Sequence, residues 1–150
     1  MSGNHITTGP DATLGRIMRA TNDHDLDALT ACFEPDYESV WPVHPARTFA
    51  GTEQVRNNWQ QIFTAVPDIR VAIVDSVVSD DEVWSEWEFA GNRVDGGPFL
   101  MRGVIIVRAR DGRASQGRFY LEPVEVSADD ATAAVRRLLG LAVGGSEAQS

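Results

Sequence analysis

Apolar residues recur at helical spacing in the first part of the chain and alternate with polar residues after residue 68. Residues 11–25 and 26–33 each carry an apolar stripe of this kind, which predicts a pair of short helices ended by Pro35. Residues 51–68 give the clearest helical pattern, because their apolar side chains fall on a single face. The sequence therefore predicts three helices before the alternating region begins.

The alternating region predicts four strands, over residues 69–81, 82–92, 98–112 and 113–126, separated by Asp-Asp, Gly-rich and Asp-Gly turn signals. Consecutive strands joined by short turns form an antiparallel meander. A last amphipathic stretch, residues 129–141, predicts a short helix.

Helices followed by a long antiparallel sheet indicate an α+β domain, which we place at residues 11–139. A strongly twisted sheet of this size curls around its helices and leaves a cone-shaped cavity that suits a small molecule. Residues 36–45 contain two prolines and predict a short strand at the sheet edge or a loop. We expect residues 1–10 and 140–150 to be disordered, since both are polar or rich in small residues.

Composition narrows the classes of function. A chain of 150 residues with 43% hydrophobic content can bury one core, and its net charge of −9 without a basic run argues against nucleic-acid binding. No apolar run approaches the ~20 residues of a membrane span, and the N-terminus lacks a signal-peptide pattern, so a soluble cytoplasmic protein is expected. The lone Cys32 lies at an apolar position and is interpreted as a small buried side chain.

Three stretches carry a resemblance to a known family: "LTACFEPDYES", "FAGTEQVRNNW" and "RDGR" followed by "GRFYLEP". With the order of elements, they make the chain similar to the nuclear-transport-factor-two-like superfamily, on the side of SnoaL-like polyketide cyclases and limonene epoxide hydrolases. The resemblance runs from about Asp11 to Val126 and implies the curved α+β barrel. The superfamily contains isomerases, cyclases, epoxide hydrolases, dehydratases and non-catalytic binding modules, so it does not choose a function.

Glu122 is the principal catalytic candidate. It matches the acidic position that the related enzymes carry in the last long strand, although they usually have Asp. Strand alternation puts Arg118, Tyr120 and Glu122 on one face, so Tyr120 could orient the carboxylate or bind a substrate oxygen. A carboxylate held in a dry cone could act as general acid or base. The alternative is an ion pair of Glu122 with Arg118 or Arg102. In a chain this acidic, we expect both arginines to neutralise glutamates in preference to binding an anionic group.

The orientation of residues 83–89 is open, because both faces of this strand carry aromatic side chains. We prefer the orientation in which Trp84, Glu86 and Glu88 face the cavity, with Glu88 as the second carboxylate. This orientation turns Trp87 and Phe89 outward, and such an exposed patch predicts a homodimer through the outer sheet face. A shift of one residue would reverse both assignments. The epoxide hydrolases have an Arg-x-Asp pair where this chain has Glu86 and Glu88, so the acid is retained and the arginine is lost.

His44, between two prolines, could act as a proton shuttle at the cavity mouth, or it could be an ordinary loop histidine. Trp41, Trp59, Phe63 and Met101 are expected in the cavity wall, and Trp59 and Phe63 lie one helical turn apart. The three histidines lack metal-ligand spacing, so no metal is predicted. The sequence has no phosphate loop and no dinucleotide-binding fingerprint, so no cofactor is predicted either.

These features predict a cofactor-independent enzyme that uses carboxylate acid/base chemistry on a hydrophobic, polyketide-like or terpenoid-like substrate. Cyclisation, isomerisation, dehydration and epoxide opening all fit this description. Two alternatives come from other classes of function. One is a non-catalytic protein that binds a hydrophobic ligand, and the other is a dimeric assembly module that works through its outer sheet face.

Overall fold

The computed structural model describes residues 9–142, in which helices and strands follow the predicted order. The described residues contain four α-helices: α1 (Pro10–Asn22), α2 (Leu26–Thr30), α3 (Thr52–Ala65) and α4 (Ala131–Leu138). The same part of the chain contains six strands: β1 (Phe33–Val40), β2 (Phe49–Ala50), β3 (Arg70–Ser79), β4 (Glu82–Asn92), β5 (Pro98–Arg110) and β6 (Arg113–Pro123). The predicted disorder of the two termini falls mostly outside the described residues.

The six strands form one curved, unclosed sheet in the order β2-β1-β6-β5-β4-β3. The antiparallel meander of β3 to β6 is confirmed, and the α+β class with it. One pair differs from the expected antiparallel sheet, because β1 runs parallel to β6. The long connection between these two strands, which includes α3 and the first three meander strands, allows β1 to enter the sheet in the same direction as β6.

Helix α2 ends earlier in the chain, and strand β1 begins earlier, than the sequence predicts. Helix α2 begins after Asp25, whose carboxylate accepts a hydrogen bond from the Ala28 amide at 3.0 Å, and it ends at Thr30. Phe33 already belongs to β1, and the Cys32 carbonyl accepts a hydrogen bond from the Ala114 amide of β6 at 2.8 Å. β1 is an inner strand rather than an edge strand, because the short β2 pairs with its outer side, and the predicted loop near His44 follows the end of β1.

The preferred orientation of residues 83–89 is wrong. Trp87 and Phe89 are 3% and 8% exposed and face the helices, whereas Trp84 is 44% exposed on the convex side. The Trp87 indole N–H donates to Ser85 Oγ at 2.8 Å, so its polar atom is satisfied inside the core. Turning Glu86 and Glu88 outward instead leaves both charges in contact with water and avoids their desolvation.

Helices α1 and α3 cover the concave face, α1 against β3, β4 and β5 and α3 against β1. The strands come unusually close at Gly103, where a Cβ atom would lie 2.0 Å from the Tyr120 carbonyl oxygen of β6. Only glycine fits at this position.

Candidate functional site

A cavity of about 190 Å³ lies between the concave face of the sheet and α3. Aromatic side chains from the strands, a loop and α3 make most of its wall: Phe33, Trp41, Phe49, Trp59, Phe99 and Phe119. Phe89, Val55, Ile62, Met101 and Leu121 complete the apolar part. A smaller lobe of about 60 Å³ lies deeper and shares Phe33, Tyr37, Trp59, Phe89 and Phe119 with it. This wall suits a small hydrophobic molecule.

The predicted wall residues Trp41, Trp59 and Met101 line the cavity, and Phe63 does not. The Phe63 ring stacks on His24 with 4.7 Å between ring centroids and also packs beside Trp59. His24 is fixed there because its Nε2 atom is 2.9 Å from the Ile69 carbonyl oxygen. Phe63 therefore supports the cavity from behind rather than lining it.

Three polar side chains reach the cavity, from Tyr37, Ser39 and Asn58. Tyr37 and Ser39 alternate along β1 and point to the same face as Trp41, whose indole N–H donates to Ser39 Oγ at 3.2 Å. Sequence reasoning missed Tyr37 and Ser39 because it treated the proline-containing stretch as an edge strand or loop. The signal that could have revealed them is the alternation of Tyr, Ser and Trp in "YESVW".

Tyr37 is one of the two deeply buried polar residues of the cavity wall, together with Ser39. Burial raises the pKa of its phenol well above the ordinary value, and the interaction with the Ser39 hydroxyl offsets this only in part. The phenol therefore stays protonated at neutral pH and can donate a hydrogen bond. Its oxygen lies directly over Gly117 of β6, where a Cβ atom would be 2.6 Å away. Glycine at this position leaves room for the phenol.

Glu122 does not lie in the floor of the cavity. Phe119 and Leu121 are the β6 side chains that line it, so alternation turns Tyr120 and Glu122 to the other side of the sheet. Tyr120 is 39% exposed and the Glu122 side chain is 46% exposed. The predicted placement of this face in the pocket is wrong, because burying Phe119 and Leu121 is favourable and burying the charged face is costly. The catalytic role of Glu122 stays a prediction.

The structure does bring two of the predicted catalytic residues together. His44 Nε2 lies 2.6 Å from Glu122 Oε2, although 78 positions separate them in the chain. β1 ends at Val40 beside β6, and the loop that follows runs along the end of β6 until His44 meets Glu122. The His44–Glu122 pair therefore lies at the sheet margin, beside the cavity wall and outside it.

The remaining predicted site residues lie on the convex face, so their predicted cavity positions are wrong. Arg102 pairs with Glu88 at 2.8 Å, and Arg118 approaches Glu82 at 3.9 Å. Glu86 and Trp84 border a shallow surface depression with Val104. Pairing with a glutamate is the alternative role that the sequence suggests for these arginines, and Arg102 has that role on the sheet surface.

Between residues 9 and 142, the wall of either cavity lobe contains no Asp, Glu or His. In the same part of the chain, no group of three or more His, Cys, Asp or Glu side chains is placed to hold a metal ion. None of the helices described has the length and apolar character of a membrane span. The polar chemistry of the cavity thus comes from hydroxyl, amide and indole groups.

Solved structures with the same fold include proteins described as candidate enzymes and proteins without a stated activity. A loop-truncation variant of IdmH is 25% identical, with a TM-score of 0.66, covering 75% of this chain and 92% of that one. Wild-type IdmH from Streptomyces antibioticus, described as a candidate polyketide cyclase, is 23% identical with a TM-score of 0.65, over 75% of this chain and 91% of its own. A ketosteroid-isomerase-like protein from Catenulispora acidiphila, bound to trimethylamine, is 20% identical with a TM-score of 0.64, over 91% of this chain and 98% of its own.

No curated protein matches the chain. The family model described as the SnoaL-like domain matches residues 14–117, which run from the middle of α1 into β6 and include most of the cavity wall. The match covers more than half of the chain and agrees with the observed fold, so the chain belongs to the SnoaL-like domain family.

Proposed function

We propose that the protein is a small-molecule enzyme that binds a hydrophobic, oxygen-bearing substrate in the cavity and catalyses a proton transfer without a cofactor. Cyclisation and isomerisation are the reaction types that we favour. The observation that carries the proposal is the buried, protonated Tyr37 phenol beside Ser39 in a mostly apolar wall. Family membership and the cyclase-like neighbours support the same class of function.

The Tyr37 phenol would act on the substrate oxygen. When a proton leaves the carbon next to a carbonyl group, negative charge develops on that oxygen as the enolate forms. A hydrogen-bond donor fixed in an apolar site stabilises this charge more strongly than water does. Tyr37 can supply that donor without a change in its own protonation state, because its pKa is raised.

The His44–Glu122 pair is our candidate for the group that accepts the proton. Its two side chains are partly exposed and do not line the cavity, but Glu122 directly follows Leu121 in β6, whose side chain does. A substrate that extends from the cavity towards the sheet margin would bring its reacting carbon to this pair. The pair would return the proton to carbon in an isomerisation, so that the enzyme ends each cycle unchanged.

The test uses 2-tetralone, a bicyclic ketone of suitable size, and follows exchange of its α-protons for deuterium in D₂O by proton NMR. We expect the wild-type protein to accelerate exchange over buffer. Glu122→Gln should slow the catalysed exchange by roughly a hundredfold, the usual contribution of a general base. Glu125→Gln, which removes an exposed carboxylate close by in the chain, should leave the rate unchanged. Full activity in Glu122→Gln would remove the pair from the mechanism.

A second candidate function is non-catalytic binding of a hydrophobic ligand. The observation that favours it is the lack of Asp, Glu and His in the cavity wall within the described residues. Under this alternative the wild-type protein binds 2-tetralone and exchange proceeds at the rate of buffer alone. The same NMR experiment therefore separates an enzyme from a carrier.

We also propose a homodimer through the convex sheet face, on different residues from those the sequence suggested. Val77 and Trp84 are 64% and 44% exposed there, and Tyr120 lies two strands away. Acidic Asp75 and Glu86 pair with each other next to Val77 and Trp84 along the strands, and cationic Arg118 lies two strands across from Trp84 in the same row. A two-fold arrangement could place the cation of one copy against the acids of the second.

A further inference from the structure

A more open hollow of about 410 Å³ adjoins the cavity, and we call it the vestibule. Trp41, Phe49 and Asn58 line both the cavity and the vestibule. Arg47 and Thr48, from the short loop helix and the residue after it, form part of the outer side of the vestibule. A molecule that occupies the cavity and projects outward would therefore place its end among these residues.

The charge of the vestibule is opposite to that of the chain as a whole. The chain has a net charge of −9, yet no Asp or Glu from the described residues lines the vestibule. Arg47 lies there with its guanidinium carbon 5.3 Å from the centre of the Trp41 ring. No carboxylate between residues 9 and 142 lies within 4.0 Å of the Arg47 guanidinium nitrogens, so its charge can pair with a ligand.

Neutral hydrogen-bond donors accompany this cation. Thr48 Oγ1 accepts a hydrogen bond from the Trp41 amide at 3.1 Å, which leaves the hydroxyl proton of Thr48 free to donate. Gln54 Nε2 donates to Asn58 Oδ1 at 2.7 Å, which leaves the amino group of Asn58 as its donor. One guanidinium with hydroxyl and amide donors matches a singly charged carboxylate better than a doubly charged phosphate.

We propose that the vestibule binds the carboxylate of a hydrophobic carboxylic acid whose apolar body fills the cavity, with Arg47 as the residue that recognises the charge. The inference rests on the proposed function, since it requires the cavity to be the binding site. A guanidinium held near an aromatic ring is well suited to this role, because its planar N–H groups match the geometry of a carboxylate. The inference narrows the proposed substrate class from oxygen-bearing hydrophobic molecules to hydrophobic carboxylic acids.

Isothermal titration calorimetry with 2-naphthoate and 2-naphthamide tests the inference, since these two compounds share an apolar body and differ in charge. We expect wild-type protein to bind 2-naphthoate more tightly, with a preference that falls as salt is added. Arg47→Gln should weaken 2-naphthoate binding by about fivefold to tenfold and leave 2-naphthamide unchanged, in the range of a partly exposed charged hydrogen bond. Arg70→Gln makes the same change in net charge on β3, away from the vestibule, and should leave both affinities unchanged.

The two levels of the proposal fail in different ways. If 2-naphthamide binds and wild-type protein shows no preference for 2-naphthoate, the vestibule does not recognise an anion, while the cavity remains the binding site. An equal loss of 2-naphthoate affinity in Arg47→Gln and Arg70→Gln would show that only overall charge matters, and this also overturns the inference. If neither compound binds, the inference and the proposed function fail together.

Discussion

Tyr37 combines a fully packed phenol with a position in the cavity wall, and its neighbours explain how both are possible. Its ring packs edge-on against Phe33 with 4.7 Å between centroids, and its oxygen lies over the backbone of Gly117. The ring is therefore held by its surroundings, and the phenol oxygen interacts with the Ser39 hydroxyl beside the cavity. A donor fixed in this way loses little freedom when a substrate oxygen arrives.

The raised pKa of Tyr37 gives a pH-dependence that can be measured. The folded protein stabilises the neutral phenol, so this contribution to stability is complete below the pKa of the unfolded phenol and is lost as the pH rises above it. The chain has two tyrosines, and we expect the absorbance of one tyrosinate to appear only when the protein unfolds at alkaline pH. Tyr37→Phe should abolish that late component. Its persistence in the variant would contradict the assignment.

At the scale of secondary-structure elements, the sequence predicted the type and order of the elements better than it predicted which face of each strand is buried. The four meander strands follow from alternation and turn residues, which are local signals. The orientation of β4 is not local, because Trp84 and Trp87 lie on opposite faces and each could serve as the core residue. The deciding factors are the Ser85 hydroxyl, which accepts from the Trp87 indole, and the solvation of Glu86 and Glu88. Both depend on which strands become neighbours.

The same limit explains why part of the site was missed. The proline-containing stretch before His44 predicts an interruption of the strand. In the structure, β1 is an inner strand of the sheet and ends just before this stretch. The parallel pairing of β1 with β6 sets Tyr37 and Ser39 against the cavity and carries His44 to Glu122. A pairing across some 80 residues has no signature in a single sequence, so neither consequence could be predicted.

The convex face of the sheet gives a prediction about assembly. We expect light scattering to show a dimer at micromolar concentration. Trp84→Glu should convert it to a monomer, because a charge would be placed at the centre of the apolar patch. Val94→Glu changes a residue that is 71% exposed in the β4–β5 turn and serves as the matched control, which should remain dimeric. A monomeric wild type, or a dimeric Trp84→Glu protein, would contradict the proposed interface.

On the scale of the whole molecule, the two proposed surfaces do not compete. The cavity opens between the concave face and α3, whereas the proposed dimer contact uses the convex face of the same sheet. Two copies could therefore associate and leave both cavities accessible. The overall negative charge would oppose the approach of an anionic ligand, which makes the cationic vestibule the local exception that such a ligand needs.

The cavity itself is the central claim, and the distribution of tryptophans allows it to be tested directly. The chain has four: Trp41 and Trp59 line the cavity, Trp87 lines the deeper lobe and Trp84 lies on the convex face. The most direct measurement is an isotope-filtered nuclear Overhauser spectrum of the labelled protein with 2-tetralone. The account predicts contacts from the ligand to the indole protons of Trp41 and Trp59 and none to Trp84. Contacts to Trp84 alone, or no contact with any indole at saturating ligand, would contradict it.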